Sequence, residues 1–204
     1  MITNINLFAD SQLTLWDDEP RILLANKASA RTLYGSLCER IASEALGLRR
    51  LKISGNFDAC YDAQGDAGKL FEVKSVKRSG ACPIWIWRMN KDKDVAAAGH
   101  DVSYAFVTHN FSGAESSEQL WHGLSKTVKE IFVVPLGVMA ELHKDAPFGG
   151  MKLGLGGSGY DREGYRDGYR RVSVKTLRQR CGRRRRAEFA VAGHGFEVEI
   201  LSPI

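Results

Sequence analysis

The stretch Asn56-Phe57-Asp58-Ala59-Cys60-Tyr61-Asp62-Ala63-Gln64-Gly65-Asp66-Ala67-Gly68-Lys69-Leu70-Phe71-Glu72-Val73-Lys74-Ser75-Val76-Lys77 decides how the rest of the chain is read. Apolar residues stand between clusters of Gly and Asp, and Asp62 to Gly68 has the composition of a turn. The stretch therefore predicts a β-hairpin with a loose loop. Side chains two apart on a strand share a face, so Glu72 and Lys74 point the same way and Val73 points opposite. Pairing across the loop brings Asp58 beside them, and two carboxylates then converge on one ammonium.

Such a trio has a chemical use. Hard cations such as Mg²⁺ take a few carboxylate oxygens and keep several waters. A bound metal makes water a better nucleophile and steadies charge on a phosphoryl oxygen. A lysine beside it can orient that water or help to deprotonate it. The pattern Asp58, a gap, then Glu72-Val73-Lys74 resembles the PD-(D/E)XK nuclease superfamily, to which most type II restriction endonucleases belong; Phe57 stands where the signature carries Pro. The resemblance implies that Asp58 and Glu72 hold Mg²⁺, with Mn²⁺ able to substitute, and that Lys74 positions the attacking water. Without the resemblance, the same residues make an amphipathic hairpin with a solvated Glu–Lys pair.

Upstream, Lys27 to Leu48 carries Leu33, Leu37, Ile41, Ala45 and Leu48 near helical spacing. Gly35, Glu39 and the apolar residues after them resemble the first core helix of the superfamily, in which an acid often completes the metal site. Periodicity leaves Glu39 and Glu44 equal, on opposite edges of the apolar stripe; the resemblance favours Glu39 as a further catalytic and metal-binding residue.

Downstream, Pro83-Ile84-Trp85-Ile86-Trp87 alternates as a strand does, with the two tryptophans on one face of a core strand. Asn90 to Asp101 is polar and reads as a loop. Val102 to Thr108 predicts a strand, Ser116 to Lys129 a helix capped by Ser116 or Ser117, Glu130 to Pro135 a strand, and Val138 to Lys144 a short helix. Strand–helix–strand at this length implies a parallel crossover. Gly149 to Gly168 is Gly-rich but lacks the Gly-Lys-Ser/Thr ending of a nucleotide-binding loop, and reads as a flexible segment that orders on a ligand. Ala187 to Ile200 predicts two strands around Gly193-His194-Gly195.

The net charge of +5 is localised. Residues 1–159 carry 18 basic and 18 acidic side chains, whereas residues 160–204 carry 11 basic against 6 acidic. Ten of these basic residues fall between Tyr165 and Arg186: Arg166, Arg170, Arg171, Lys175, Arg178, Arg180, Arg183, Arg184, Arg185 and Arg186. With tyrosines interleaved and glycines upstream, they suit a polyanion, and we read them as the DNA-binding segment. The four cysteines and five histidines have no metal-ligand spacing, which disfavours zinc and leaves the cysteines as free thiols of a reducing compartment. The chain offers no apolar run of membrane-spanning length and no signal-peptide layout at its N-terminus.

These readings combine into one expectation. The chain is a single α/β domain whose central mixed β-sheet is flanked by helices, with a restriction endonuclease-like core over about residues 27–145. A basic C-terminal extension, its DNA-contacting segment over about residues 150–190, ends in two strands. The expected function is Mg²⁺-dependent endonuclease cleavage of double-stranded DNA by a cytoplasmic homodimer of the type II restriction kind. A structure-specific or repair nuclease of the same fold, such as a junction resolvase, and a non-catalytic DNA- or RNA-binding protein stay open beside it.

Overall fold

The structure is a computed structural model that describes residues 27–51, 61–113, 116–144 and 169–204. It is an α/β fold built on a seven-stranded mixed sheet. The strands of that sheet are β1 (Arg49–Arg50), β2 (Ala63–Gln64), β3 (Leu70–Lys77), β5 (Val102–His109), β6 (Glu130–Pro135), β8 (Cys181–Val191) and β9 (His194–Pro203). They lie in the order β1-β2-β3-β5-β6-β9-β8. A separate two-stranded ribbon pairs β4 (Ala81–Trp85) with β7 (Tyr169–Ser173). The α-helices among the described residues are α1 (Lys27–Leu46), α2 (Ile86–Ala97), α3 (Ser117–Thr127), α4 (Leu136–Lys144) and α5 (Val174–Arg180). No helix among the described residues is long and apolar enough to cross a membrane.

Each face of the sheet buries its own core. On one face, Leu37, Cys38, Ile41, Ala42 and Ala45 of α1 and Leu120, Trp121 and Leu124 of α3 pack on Val73, Ala105, Val107, Ile131, Val198 and Ile200. On the other, α2, α4, α5 and the ribbon cover Val76, Tyr104, Phe106, Phe132, Val134 and Leu201. The strand residues thus alternate between the two cores, as a sheet sandwiched by helices requires. The sheet curls enough for α1 to touch both β3 and β8. Helix ends follow local chemistry. Gly47, at φ 66°, ends α1, where the Leu48 amide donates to the Ser43 carbonyl at 2.8 Å. Ser116 caps α3 by accepting from the Gln119 amide.

Three expectations are corrected: the tryptophan strand, the loop after it and the parallel crossover. The tryptophan-bearing strand stops at Trp85, and Ile86–Ala97 is helix α2, so Trp85 and Trp87 do not share one strand face and Asn90 to Asp101 is not simply a loop. The polar composition concealed the helix because its buried positions include Asp92 beside Met89, a charge where an apolar residue is expected. The segment from Val102 to Pro135 is not a parallel crossover: β5 and β6 run antiparallel, from Ser103 opposite Pro135 to Thr108 opposite Glu130. The eleven residues of α3 advance only about 16 Å, which the extended chain before it can cancel, so the chain re-enters the sheet at the end it left. Parallel pairing occurs instead between β3 and β5 and between β6 and β9. The chain ends in two strands, β8 and β9, and β9 joins β6 to make β8 the sheet's last strand.

Candidate active site

The hairpin around β3 is tighter than its composition suggests. It closes over Gly65 to Lys69, where the Gly65 amide donates to the Lys69 carbonyl at 2.8 Å. Gly68, at φ 79°, takes the left-handed conformation that the turn needs. Ala63 pairs with Phe71, so Asp62 follows opposite Glu72. Its Oδ2 accepts the Val73 amide at 2.7 Å, a bond from side chain to strand. Asp62 and Glu72 are both buried, and Lys74 lies within the field of both. The Lys74 ammonium donates to Oε1 of Glu72. Burial alone would lower the Lys74 pKa, but Glu72 and then Asp62 hold it above the ordinary lysine value. Lys74 is therefore a fixed cation at neutral pH, a donor rather than a base.

The second oxygen of Glu72 is taken from the helix side. Arg88 of α2 donates to Oε2 at 2.7 Å. Its Nε lies 3.1 Å from Oδ1 of Asp92, off the line of a hydrogen bond, and its guanidinium stacks 4.5 Å over the Tyr61 ring. Asp92 is fully buried and accepts the hydroxyls of Tyr61, at 2.8 Å, and Tyr104. Both phenols are pushed up, first by burial and then by Asp92, so they stay protonated donors. Cys82 borders the site as an inert thiol whose pKa burial raises to about 11.

Of the residues expected at the site, Glu72 and Lys74 come together, and Asp58 lies outside the described residues. Glu39 approaches from the α1 face, 3.8 Å from Arg50 of β1, and Arg50 in turn feels Asp62. Glu44 is exposed. Sequence reasoning missed Asp62, Arg88, Asp92 and Tyr61. Asp62 was hidden inside an apparent turn; its signal was the Gly65/Gly68 pair, which permits a tight closure and so puts the preceding acid opposite Glu72. Arg88 and Asp92 carried the i, i+4 spacing of a helical ion pair, but it crossed the boundary between a run that read as a strand and one that read as a loop.

The basic tract divides among several elements. Arg170 and Arg171 lie on β7, Lys175, Arg178 and Arg180 on α5, and Arg183, Arg184, Arg185 and Arg186 on the edge strand β8; Arg166 is outside the described residues. The four consecutive arginines of β8 are exposed, with Arg184 3.8 Å from Glu199 and Arg186 3.9 Å from Glu197. Arg178 is already engaged: its Nε and Nη2 donate to Glu130 at 3.1 and 2.6 Å. Arg78 approaches the same carboxylate at 3.3 Å. Burial pushes Glu130 up, but the Arg178 bonds and charge, helped by Arg78, hold it below the usual carboxylate range.

Among the described residues, no group of three or more His, Cys, Asp or Glu stands where it could hold a metal ion. The buried pair Asp62 and Glu72 nevertheless supplies only oxygen donors. That donor type suits a hard cation, which can bind through one or two carboxylates, but only if it displaces Lys74 from Oε1 of Glu72, since Arg88 holds Oε2 and the Val73 amide takes Oδ2 of Asp62. Comparisons of the chain with protein-family models, curated proteins and solved structures find no match in any of the three.

Proposed function

We propose that this protein is a metal-dependent endodeoxyribonuclease of the type II restriction kind. The observation that carries the reading is a pair of buried carboxylates, Asp62 just before β2 and Glu72 on β3, in whose field the Lys74 ammonium sits. A protein that only binds nucleic acid has no use for such a pair. Mg²⁺, when bound there, supplies an activated water and neutralises charge on the phosphoryl group. The chain's own residues do the rest. Asp62 and Glu72 provide the oxygens, with Asp58 and Glu39 as further candidates. Lys74, kept protonated by its neighbours, orients water or phosphate by donating to it. The exposed arginines of β8 hold the duplex backbone, for which a planar, permanently charged fork is well shaped. A homodimer would match its two-fold symmetry to a palindromic site.

One observation favours a second reading, a non-catalytic nucleic-acid-binding protein. Both oxygens of Glu72 are engaged by Lys74 and Arg88, as in a purely structural ion-pair cluster. Turnover and affinity measured on the same variants separate the two. Glu72→Gln and Lys74→Ala are expected to lower Mg²⁺-dependent cleavage of duplex DNA by on the order of a hundredfold or more, with DNA affinity nearly unchanged. Asp62→Asn and Asp58→Asn, compared in the same assay, identify the second acid. Cleavage at the wild-type rate by the Glu72 variant would reject this site.

A further inference from the structure

Arg88 is held more firmly than an ordinary ion-pair partner. Its side chain is 11% exposed and is fixed on three sides, by Glu72 Oε2, by Asp92 and by the face of Tyr61. Asp92, which anchors it, is itself secured by the Tyr61 and Tyr104 hydroxyls. Lys74, on the other oxygen of Glu72, is three times as exposed, at 33%, and sits on a flexible four-carbon stem. The two cations on Glu72 are therefore not equivalent. Lys74 can swing aside for an incoming ligand, whereas Arg88 moves only if the buried Asp92 cluster is broken.

We infer that Arg88 is a positioning residue that keeps Oε2 of Glu72 occupied, so that Oε1, which Lys74 must vacate, is the one oxygen a divalent cation can take, and that Arg88 thereby sets which cation the site accepts. The inference rests on the nuclease reading of Glu72. A carboxylate with one oxygen committed cannot offer both to the same ion. Ca²⁺ accepts two-oxygen carboxylates and loose geometry, while Mg²⁺ and Mn²⁺ are smaller and Mg²⁺ demands a near-ideal arrangement. Holding one oxygen back thus disfavours the larger ion. Partners of this kind around a ligating carboxylate commonly change metal affinity by about 10–100-fold.

The test is calorimetric titration of the full-length protein with Mn²⁺ and separately with Ca²⁺, read as the ratio of the two dissociation constants. In the wild type Mn²⁺ should bind tighter than Ca²⁺, and Glu72→Gln should abolish both heats. Arg88→Met should shrink the ratio by about tenfold or more in favour of Ca²⁺, while Arg88→Lys, which keeps a cation on Glu72, should stay nearer the wild type. Since Arg88→Met strands the buried Asp92, the double variant Arg88→Met/Asp92→Asn is titrated beside it; its amide oxygen can accept one tyrosine hydroxyl while its NH2 donates to the oxygen of the other. A ratio unchanged within about twofold in both, with binding still lost in Glu72→Gln, overturns the role of Arg88 and leaves the metal site standing. Absence of binding in every variant, the wild type included, overturns both.

Discussion

At the scale of single residues, the site is an array of alternating charge: Glu39, Arg50, Asp62, Lys74, Glu72, Arg88 and Asp92, each feeling the next. Every buried charge in it has an opposite neighbour, which is the condition under which buried charges are tolerated. Breaking the row at its deepest point should be costly. Asp92→Ala leaves two phenols without their acceptor and Arg88 without one of its two counter-ions, and is expected to destabilise the protein by about 3–5 kcal/mol, measured by denaturant unfolding. His109, at the end of β5, is buried with Nδ1 unpartnered and with Tyr34 beside it. Burial, aided by Lys77, lowers its pKa below 6.5 despite an opposing backbone hydrogen bond. The unfolded chain therefore takes up the proton first. Stability is full above about pH 6.5 and falls as pH drops toward the depressed folded value. Thermal melts at pH 7.5 and 5.5 should show this loss, and His109→Gln should reduce it; a variant with an equal loss would assign the effect to other groups.

At the scale of elements, the exposed arginines of β8 and the engaged arginine of α5 should behave differently. Replacing Arg183 to Arg186 with Ala is expected to flatten the salt dependence of DNA binding by about one unit of slope for each phosphate that is no longer neutralised. Arg178→Ala should instead cost about 1–3 kcal/mol of stability, because it strips Glu130 of its charge-assisted bonds. An unchanged slope would make the β8 tract a solvated edge, a role charged side chains also serve by blocking strand addition. Elements whose inward residues are apolar were legible in the sequence. The stripes of α1 and α3 and the strands β3, β5 and β6 follow their own periodicities. Helix α2 was not, because Arg88 and Asp92 face the interior where period-based reading expects leucine. The direction of β6 was not legible either, since it depends on the path outside the helix. The same cause divides the site: Glu72 and Lys74 could be read from the spacing of one strand, whereas Asp62 needed the register of two and Arg88 needed a helix.

At the scale of the whole molecule, the curled sheet separates the work of its faces. One face is closed by α1 and α3 around a continuous apolar core. The other carries Glu72 and Lys74 on β3 and, farther along the sheet, Glu130 with its two arginines. A cleft of about 360 Å³ lined by Arg78, Lys129, Glu130, Arg186, Glu197, Val198 and Glu199 opens there. If the protein meets a palindromic site as a homodimer, light scattering of the DNA complex should give the mass of two chains. The mass of one chain would point to an enzyme that cuts the strands in turn. The central claim, that the Asp62–Glu72–Lys74 site hydrolyses DNA at defined sequences, is tested most directly by digesting a long phage DNA with the protein. The digest is run with Mg²⁺ and with excess chelator, and the products are resolved by size. Discrete bands with Mg²⁺, absent in chelator and absent with Glu72→Gln, are predicted, because direct readout discriminates a wrong base pair by about 1–3 kcal/mol. DNA left intact under all conditions, or cut equally well in chelator, would contradict the account.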